Sequence, residues 1–256
     1  MDNDDAQVGR ILSRREILAL LGGSSVAFLA ACAPGALASP SPTTAAQQTS
    51  AAATTAAAAS ATTVLPSCVV RPALTEGPYF VDEKLSRSDI RSDPTTGAVR
   101  PGAPLTLSFL VSRVTGSACN ALSGAVVDIW HCDALGVYSD VDSAVGQKFL
   151  RGYQTTDASG SAKFTTIYPG WYQGRAVHIH FKIRPTTSSE FTSQLFFDDA
   201  LSTQVFAQTP YSQKGTQGIT RNSADGIFQQ SGGKLTLGVT KNGDAYAATF
   251  DIGLAS

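Results

Sequence analysis

From Pro104 onward, apolar and polar residues alternate in one short run after another. PLTLSFLV at 104 to 111, AKFTTI at 162 to 167, VHIHFKI at 177 to 183, KLTLGV at 234 to 239 and AYAATF at 245 to 250 all have a period of two, that of a strand with one buried face. GAVVDIW at 124 to 130 is apolar almost throughout and reads as a central strand. Turn signals fall between the runs: Thr115-Gly116-Ser117, Asp157-Ala158-Ser159-Gly160 and Asn242-Gly243-Asp244. No long stretch has the 3.6-residue period of an amphipathic helix, and no repeat of fixed length is present. The pattern predicts an all-β domain, a β-sandwich core with active-site loops at one end.

Ahead of Cys68 the pattern changes. Residues 33–66 are almost wholly Ala, Thr, Ser, Pro and Gln, without charge. Such a composition buries too little apolar surface to repay its ordering entropy, so it reads as a tether or glycosylated stalk. Residues 1–32 read as an export signal. Charges end at Glu16, and the apolar run ILALLGGSSVAFLAA stops at Cys32, too short and too interrupted by Gly and Ser for a membrane span. Ser13-Arg14-Arg15 followed by Ile17-Leu18 resembles a twin-arginine signal, and Leu29-Ala30-Ala31-Cys32 resembles a lipobox, whose cysteine is acylated after cleavage. The alternative is an ordinary secretory signal with a chance cysteine. The folded domain is expected over 67–256, exported and either extracellular or anchored at the cell surface.

Charge narrows the choice of partner. Lys and Arg total 19 against 20 for Asp and Glu, with no basic excess to neutralise a nucleic-acid backbone. Four acids (Asp2, Asp4, Asp5, Glu16) and three bases (Arg10, Arg14, Arg15) lie in the leader, so the remainder is balanced. Cys68, Cys119 and Cys132 fall in the domain, and an exported protein is expected to oxidise two of them; spacing does not choose the pair. No CxxC motif accompanies them as a zinc site would require.

The chain has three histidines, two of which form His178-Ile179-His180 inside an alternating run. Side chains two apart on a strand share a face, so both imidazoles project together as a bidentate metal bite. Two tyrosine-bearing turns accompany them: Tyr138 after Ala134-Leu135-Gly136-Val137, and Tyr172 after Pro169-Gly170-Trp171. Two imidazoles and two phenols suit a hard, oxidised metal such as iron(III), because phenolate is an anionic oxygen donor. The acid that a 2-His-1-carboxylate iron(II) site needs is missing near the pair. His131 alone reads as a supporting or structural residue.

The segments TEGPYF (75–80), DIWHCDALGVYSD (128–140), FLRGYQTTDASGSAKFTTIYPGWY (149–172), RAVHIHFKI (175–183) and TSQLFF (192–197) together resemble the intradiol ring-cleavage dioxygenases, the family of protocatechuate 3,4-dioxygenase and catechol 1,2-dioxygenase. The resemblance covers roughly Cys68 to Phe197. It implies one mononuclear non-haem Fe(III) held by Tyr138, Tyr172, His178 and His180, and a reaction in which O2 opens a catechol-type ring between its hydroxylated carbons to a cis,cis-muconate-type diacid. It further implies Tyr172 as ligand and then base, Arg175 over the substrate ring, Gln194 near the oxygen pocket, and Trp171 and Tyr79 as pocket walls. Arg175 is expected to act in the reaction rather than in folding. Only Gln173 to Val177 separate Tyr172 from the histidine pair, a shorter loop than in cytosolic members and similar to the extracellular branch. No dinucleotide fingerprint is present, so no nicotinamide or flavin is expected. A binding module without chemistry and a zinc hydrolase using the His pair are the readings from other classes; both would be colourless, whereas tyrosinate-bound iron(III) is red to purple.

Overall fold

The structure, a computed structural model, describes residues 69–186 and 188–255. The expected leader and tether, with Cys32 and Cys68, lie outside the described residues. Among the described residues nine strands form two sheets. β1 (Pro104–Thr115) runs through the first, paired along one side with β5 (Ser161–Ile167) and then β2 (Ala118–Ala121), and along the other with β9 (Ala245–Ala255) in parallel. β8 (Val239–Asn242) completes that sheet through a hairpin whose Gly243 has φ +60°. The second sheet has the order β4-β3-β6-β7, from β4 (Arg151–Thr155), β3 (Val126–Trp130), β6 (His178–Arg184) and β7 (Phe191–Phe196).

The sheets pack face to face through their apolar rows. Phe109 of β1 and Phe250 of β9 meet Phe181 of β6 at ring-centroid distances of 5.4 and 5.5 Å, and Phe109 meets Phe164 of β5 at 6.1 Å. The alternation expected for β1, β5, β6 and β9 is thus the inward row of each strand, and the sandwich expectation holds. β3 is central, hydrogen-bonded to β4 on one side and β6 on the other.

One predicted strand is replaced by something looser. Leu235 and Leu237 of KLTLGV are buried in alternation, but the segment holds the edge of β7 by a single bridge, with Phe196 N–H donating to Leu235 O and Leu237 N–H to Phe196 O. It then crosses to the other sheet, where β8 begins at Val239. Among the described residues two short α-helices lie outside the sheets: α1 (Asp199–Phe206), capped by Asp198, and α2 (Gly226–Ser231), capped by Asp225. Cys119 is disulfide-bonded, whereas Cys132 is free and buried.

Candidate metal centre

Register places the histidine pair. On β6, Ile179, Phe181 and Ile183 face the core between the sheets, so His178 and His180 face outward on the other side of the four-stranded sheet. Pairing aligns Arg151 of β4, Trp130 of β3, His180 of β6 and Gln194 of β7 in one row across that outer face. The Trp130 and His180 rings stack at 5.1 Å and 8°. This face is covered rather than wet: Trp130, Cys132 and Tyr138 form a second, smaller apolar cluster with Tyr79, Phe80, Val141 and Tyr172 against it. The site therefore sits at the end of the sandwich where β6 begins, outside the main core.

Tyr138 and Tyr172 arrive on two turns that are pressed together. Asp133 Oδ1 accepts from the N–H groups of Leu135 and Val137 and closes the first turn. Gly136 there has φ +85°, and a Cβ on it would stand 2.3 Å from the carbonyl oxygen of Trp171. Gly170 makes the reciprocal approach: its N–H donates to Asp133 O at 3.1 Å, and a Cβ would fall 2.4 Å from that oxygen. Only glycine permits this backbone contact. Lys214 Nζ then bridges the carbonyls of Leu135 and Trp171 at 2.6 and 2.7 Å. Behind Tyr138, the buried Arg151 spends its N–H groups on Ser139 and on Tyr79 O. This holds the Tyr79 ring stacked on Tyr138 at 4.4 Å.

The result is a convergence of four donor atoms. His178 Nε2 lies 2.9 Å from His180 Nε2, 3.2 Å from Tyr172 Oη and 3.5 Å from Tyr138 Oη. His178 Nδ1 donates to the carbonyl of Ala176 at 2.6 Å, which in a neutral imidazole leaves Nε2 as a bare lone pair. Burial lowers His178 to about 3, helped by the Arg175 charge, and lowers His180 well below the ordinary imidazole value; burial raises both phenols well above the usual tyrosine value. All four groups are therefore held neutral near pH 7 by the protein alone. Among the described residues no group of three or more His, Cys, Asp or Glu could hold a metal ion, so any such site here depends on the phenols.

Arg175 and Gln194 join this constellation. Arg175 Nη2 donates to Gln194 Oε1 at 2.5 Å, and Gln194 Nε2 donates to Thr75 O at 2.9 Å. Arg175 Nε pairs with Asp225 Oδ2 at 3.0 Å. Burial acts to raise the Asp225 carboxyl, but the Ala176 N–H, Arg175 and the α2 amides outweigh it and bring it below its ordinary value. Tyr79 is at the site, whereas Trp171 packs into the main core and donates from Nε1 to Gly215 O. His131 is structural: Nε2 meets Thr166 Oγ1 at 2.7 Å and Nδ1 meets Cys132 O at 2.8 Å, and burial lowers it to about 4. Asp225, Arg151 and Lys214 were not foreseen. Arg151 stands inside a quoted motif, but nothing local ties Asp225 or Lys214 to residues dozens of positions away.

A family profile described as "Dioxygenase" matches residues 75–232. A solved intradiol ring-cleavage dioxygenase from Tetranychus urticae is 30% identical, over 73% of this chain and 94% of that one, with a TM-score of 0.65. The chain belongs to the intradiol ring-cleavage dioxygenase family. The dioxygenase domain of a dioxygenase carbohydrate-binding protein fusion from Streptomyces sp. SirexAA-E is also 30% identical to this family member, over 73% of this chain and 99% of that one, with a TM-score of 0.53. A chlorocatechol 1,2-dioxygenase of Pseudomonas putida is 28% identical over 145 residues, 50% of this chain and 53% of that protein. The chain spans about half the length of the curated catechol-type relatives it matches.

Proposed function

We propose that the protein is an intradiol dioxygenase that opens a catechol-type ring between its hydroxylated carbons, incorporating both atoms of O2 to give a cis,cis-muconate-type diacid. One observation carries the reading: two imidazole nitrogens and two phenol oxygens converge in a member of this family. Two donors about 2.1 Å from one ion and at right angles stand about 3.0 Å apart, and wider angles give about 3.5 Å. The separations of 2.9, 3.2 and 3.5 Å around His178 Nε2 fit that arrangement. Tyr138, Tyr172, His178 and His180 would hold one mononuclear non-haem Fe(III). When bound, iron(III) draws charge from a deprotonated catechol and makes the ring reactive toward O2.

The other duties belong to the chain. Tyr172 is the more exposed phenol, so once it has given up its own proton as a ligand of the ion, its Oη would be the one suited to take a proton from an incoming catechol hydroxyl, while the buried Tyr138 is held by Tyr79. Arg175, gripped between Asp225 and Gln194, is a preorganised positive donor where negative charge develops. Trp130, Phe80 and Tyr79 cover the outer face and keep water from the imidazoles. The partners are a small catechol derivative and O2. The leader and the 33–66 stretch suit an exported enzyme, extracellular or held off a surface by its tether with Cys32 as the attachment point. The test is metal analysis and visible absorption of the purified protein, followed by oxygen uptake with catechol, protocatechuate and hydroxyquinol. We expect about one iron per chain, a red to purple colour, uptake with at least one substrate, and loss of colour intensity and turnover in Tyr172→Phe. Stoichiometric zinc, or a colourless iron-loaded protein, would overturn the reading.

A further inference from the structure

We infer that Asp225 is a positioning residue of this site, one carboxylate that sets both the orientation of Arg175 and the backbone acceptor that fixes His178. The inference rests on the functional reading above. Asp225 is 2% exposed, and its two oxygens face different partners. Oδ1 accepts from the N–H groups of Ile227 and Phe228 at 2.8 and 3.1 Å, which caps α2. Oδ2 accepts from Arg175 Nε at 3.0 Å and from Ala176 N–H at 2.7 Å. Ala176 is the residue whose carbonyl receives the Nδ1–H of His178 at 2.6 Å.

A cap alone does not need the second oxygen. Asp198 caps α1 in the same manner, with Oδ1 on the N–H groups of Ala200 and Leu201, in an exposed setting away from the site. At Asp225 the second oxygen reaches back 50 residues to the strand entry that carries Arg175 and His178. The guanidinium is then gripped at both ends, by Asp225 at Nε and Gln194 at Nη2. The bidentate use of one carboxylate links the two functions that must stay in register: the charge beside the ring and the ring nitrogen that meets the ion. Residues supporting metal-ligating histidines commonly cost 10- to 100-fold in affinity or activity when lost.

Two substitutions separate the roles. Asp225→Asn keeps the shape, but if its oxygen serves the α2 cap, its NH2 faces two N–H donors, those of Arg175 and Ala176. Asp225→Ser keeps a residue that caps helices well and removes the second oxygen altogether. Asp198→Asn is the capping control. The iron-loaded full chain of each is compared for kcat, KM, melting temperature and the rate of iron loss to a chelator. We expect both Asp225 variants to lose about 10- to 100-fold in kcat with a smaller change in KM, and to release iron faster by a similar order. Asp198→Asn should match the parent in both. In an Arg175→Gln background, Asp225→Ser should cost no more than a few-fold further in kcat, because that effect runs through Arg175. Its faster iron loss should persist, because that effect runs through Ala176 and His178.

The inference is overturned if a folded Asp225→Ser protein keeps parental kcat and iron retention, or if its kcat loss is equally large with and without Arg175. Failure of both Asp225 variants to fold would make Asp225 a residue of the fold and would also overturn it. Failure of the functional reading shows elsewhere, as a parent protein without iron colour or oxygen uptake.

Discussion

Arg175 answers to two demands at once. Its side chain is 17% exposed, while its partner Asp225 is almost fully enclosed at 1%. Removing the guanidinium leaves a buried carboxylate with backbone partners only: Ala176, Ile227 and Phe228. Arg175→Gln is therefore expected to lower turnover about 10²- to 10³-fold, the usual effect of losing one preorganised donor. It should also cost about 1–2 kcal/mol of stability, since three N–H groups still serve Asp225. Steady-state rates and thermal melts on one preparation check both. The ion pair with Asp225 adds a part in stability to the expectation that Arg175 acts in the reaction rather than in folding. The residue type and its place three positions before His178 identify it; the ion pair to a residue in a distant loop is invisible until the chain is folded.

The two tyrosine turns behave as one element. They meet backbone to backbone at Gly136 and Gly170, and Lys214 staples their carbonyls. A methyl group at Gly170 must drive them apart, so Gly170→Ala should cost about 1–3 kcal/mol and lower iron content per chain. Calorimetry with metal analysis tests this; full iron content at parental stability would show that the turns move independently. Elements with one apolar row and one polar row were legible in the sequence, because β1, β5, β6 and β9 each carry a clean alternation. β7 was not, since Thr192 through Phe196 are all buried and no alternation survives. β4, RGYQT, has too few apolar residues to announce itself, and 234–239 alternates because Leu235 and Leu237 plug the edge of β7 rather than because it is a strand. Of the site, the tyrosines and the histidine pair were legible through motif and strand period. The supports that come from far along the chain, Asp225 and Lys214, leave no periodic trace.

At the scale of the molecule, the first described residues act as a strap. Val69 O accepts from Gly253 N–H at 2.8 Å, Leu74 N–H donates to Thr192 O at 3.1 Å, and Ser193 Oγ donates to Pro72 O at 2.9 Å. Thr75 O receives the amide of Gln194. A chain beginning at Ser67 should fold and turn over substrate like the parent. One beginning at Gly77 should melt lower and lose most of its activity, because β7 and Gln194 lose their outer partners. Circular dichroism melts and oxygen uptake on the two chains would check this; equal behaviour would show that the strap is dispensable.

The parallel pairing of β1 with β9, from Leu105 beside Tyr246 to Val114 beside Ala255, has a consequence in time. About 140 residues separate the partners, which at ribosomal speeds of ~5–20 residues per second is a wait of roughly 7 to 28 s. Through that interval β1 lacks one neighbour. Phe181, on the inner side of the strand that carries the histidines, also lacks Phe250. The wall behind the imidazoles thus receives its last support only once β9 has left the ribosome, long after the histidine strand itself.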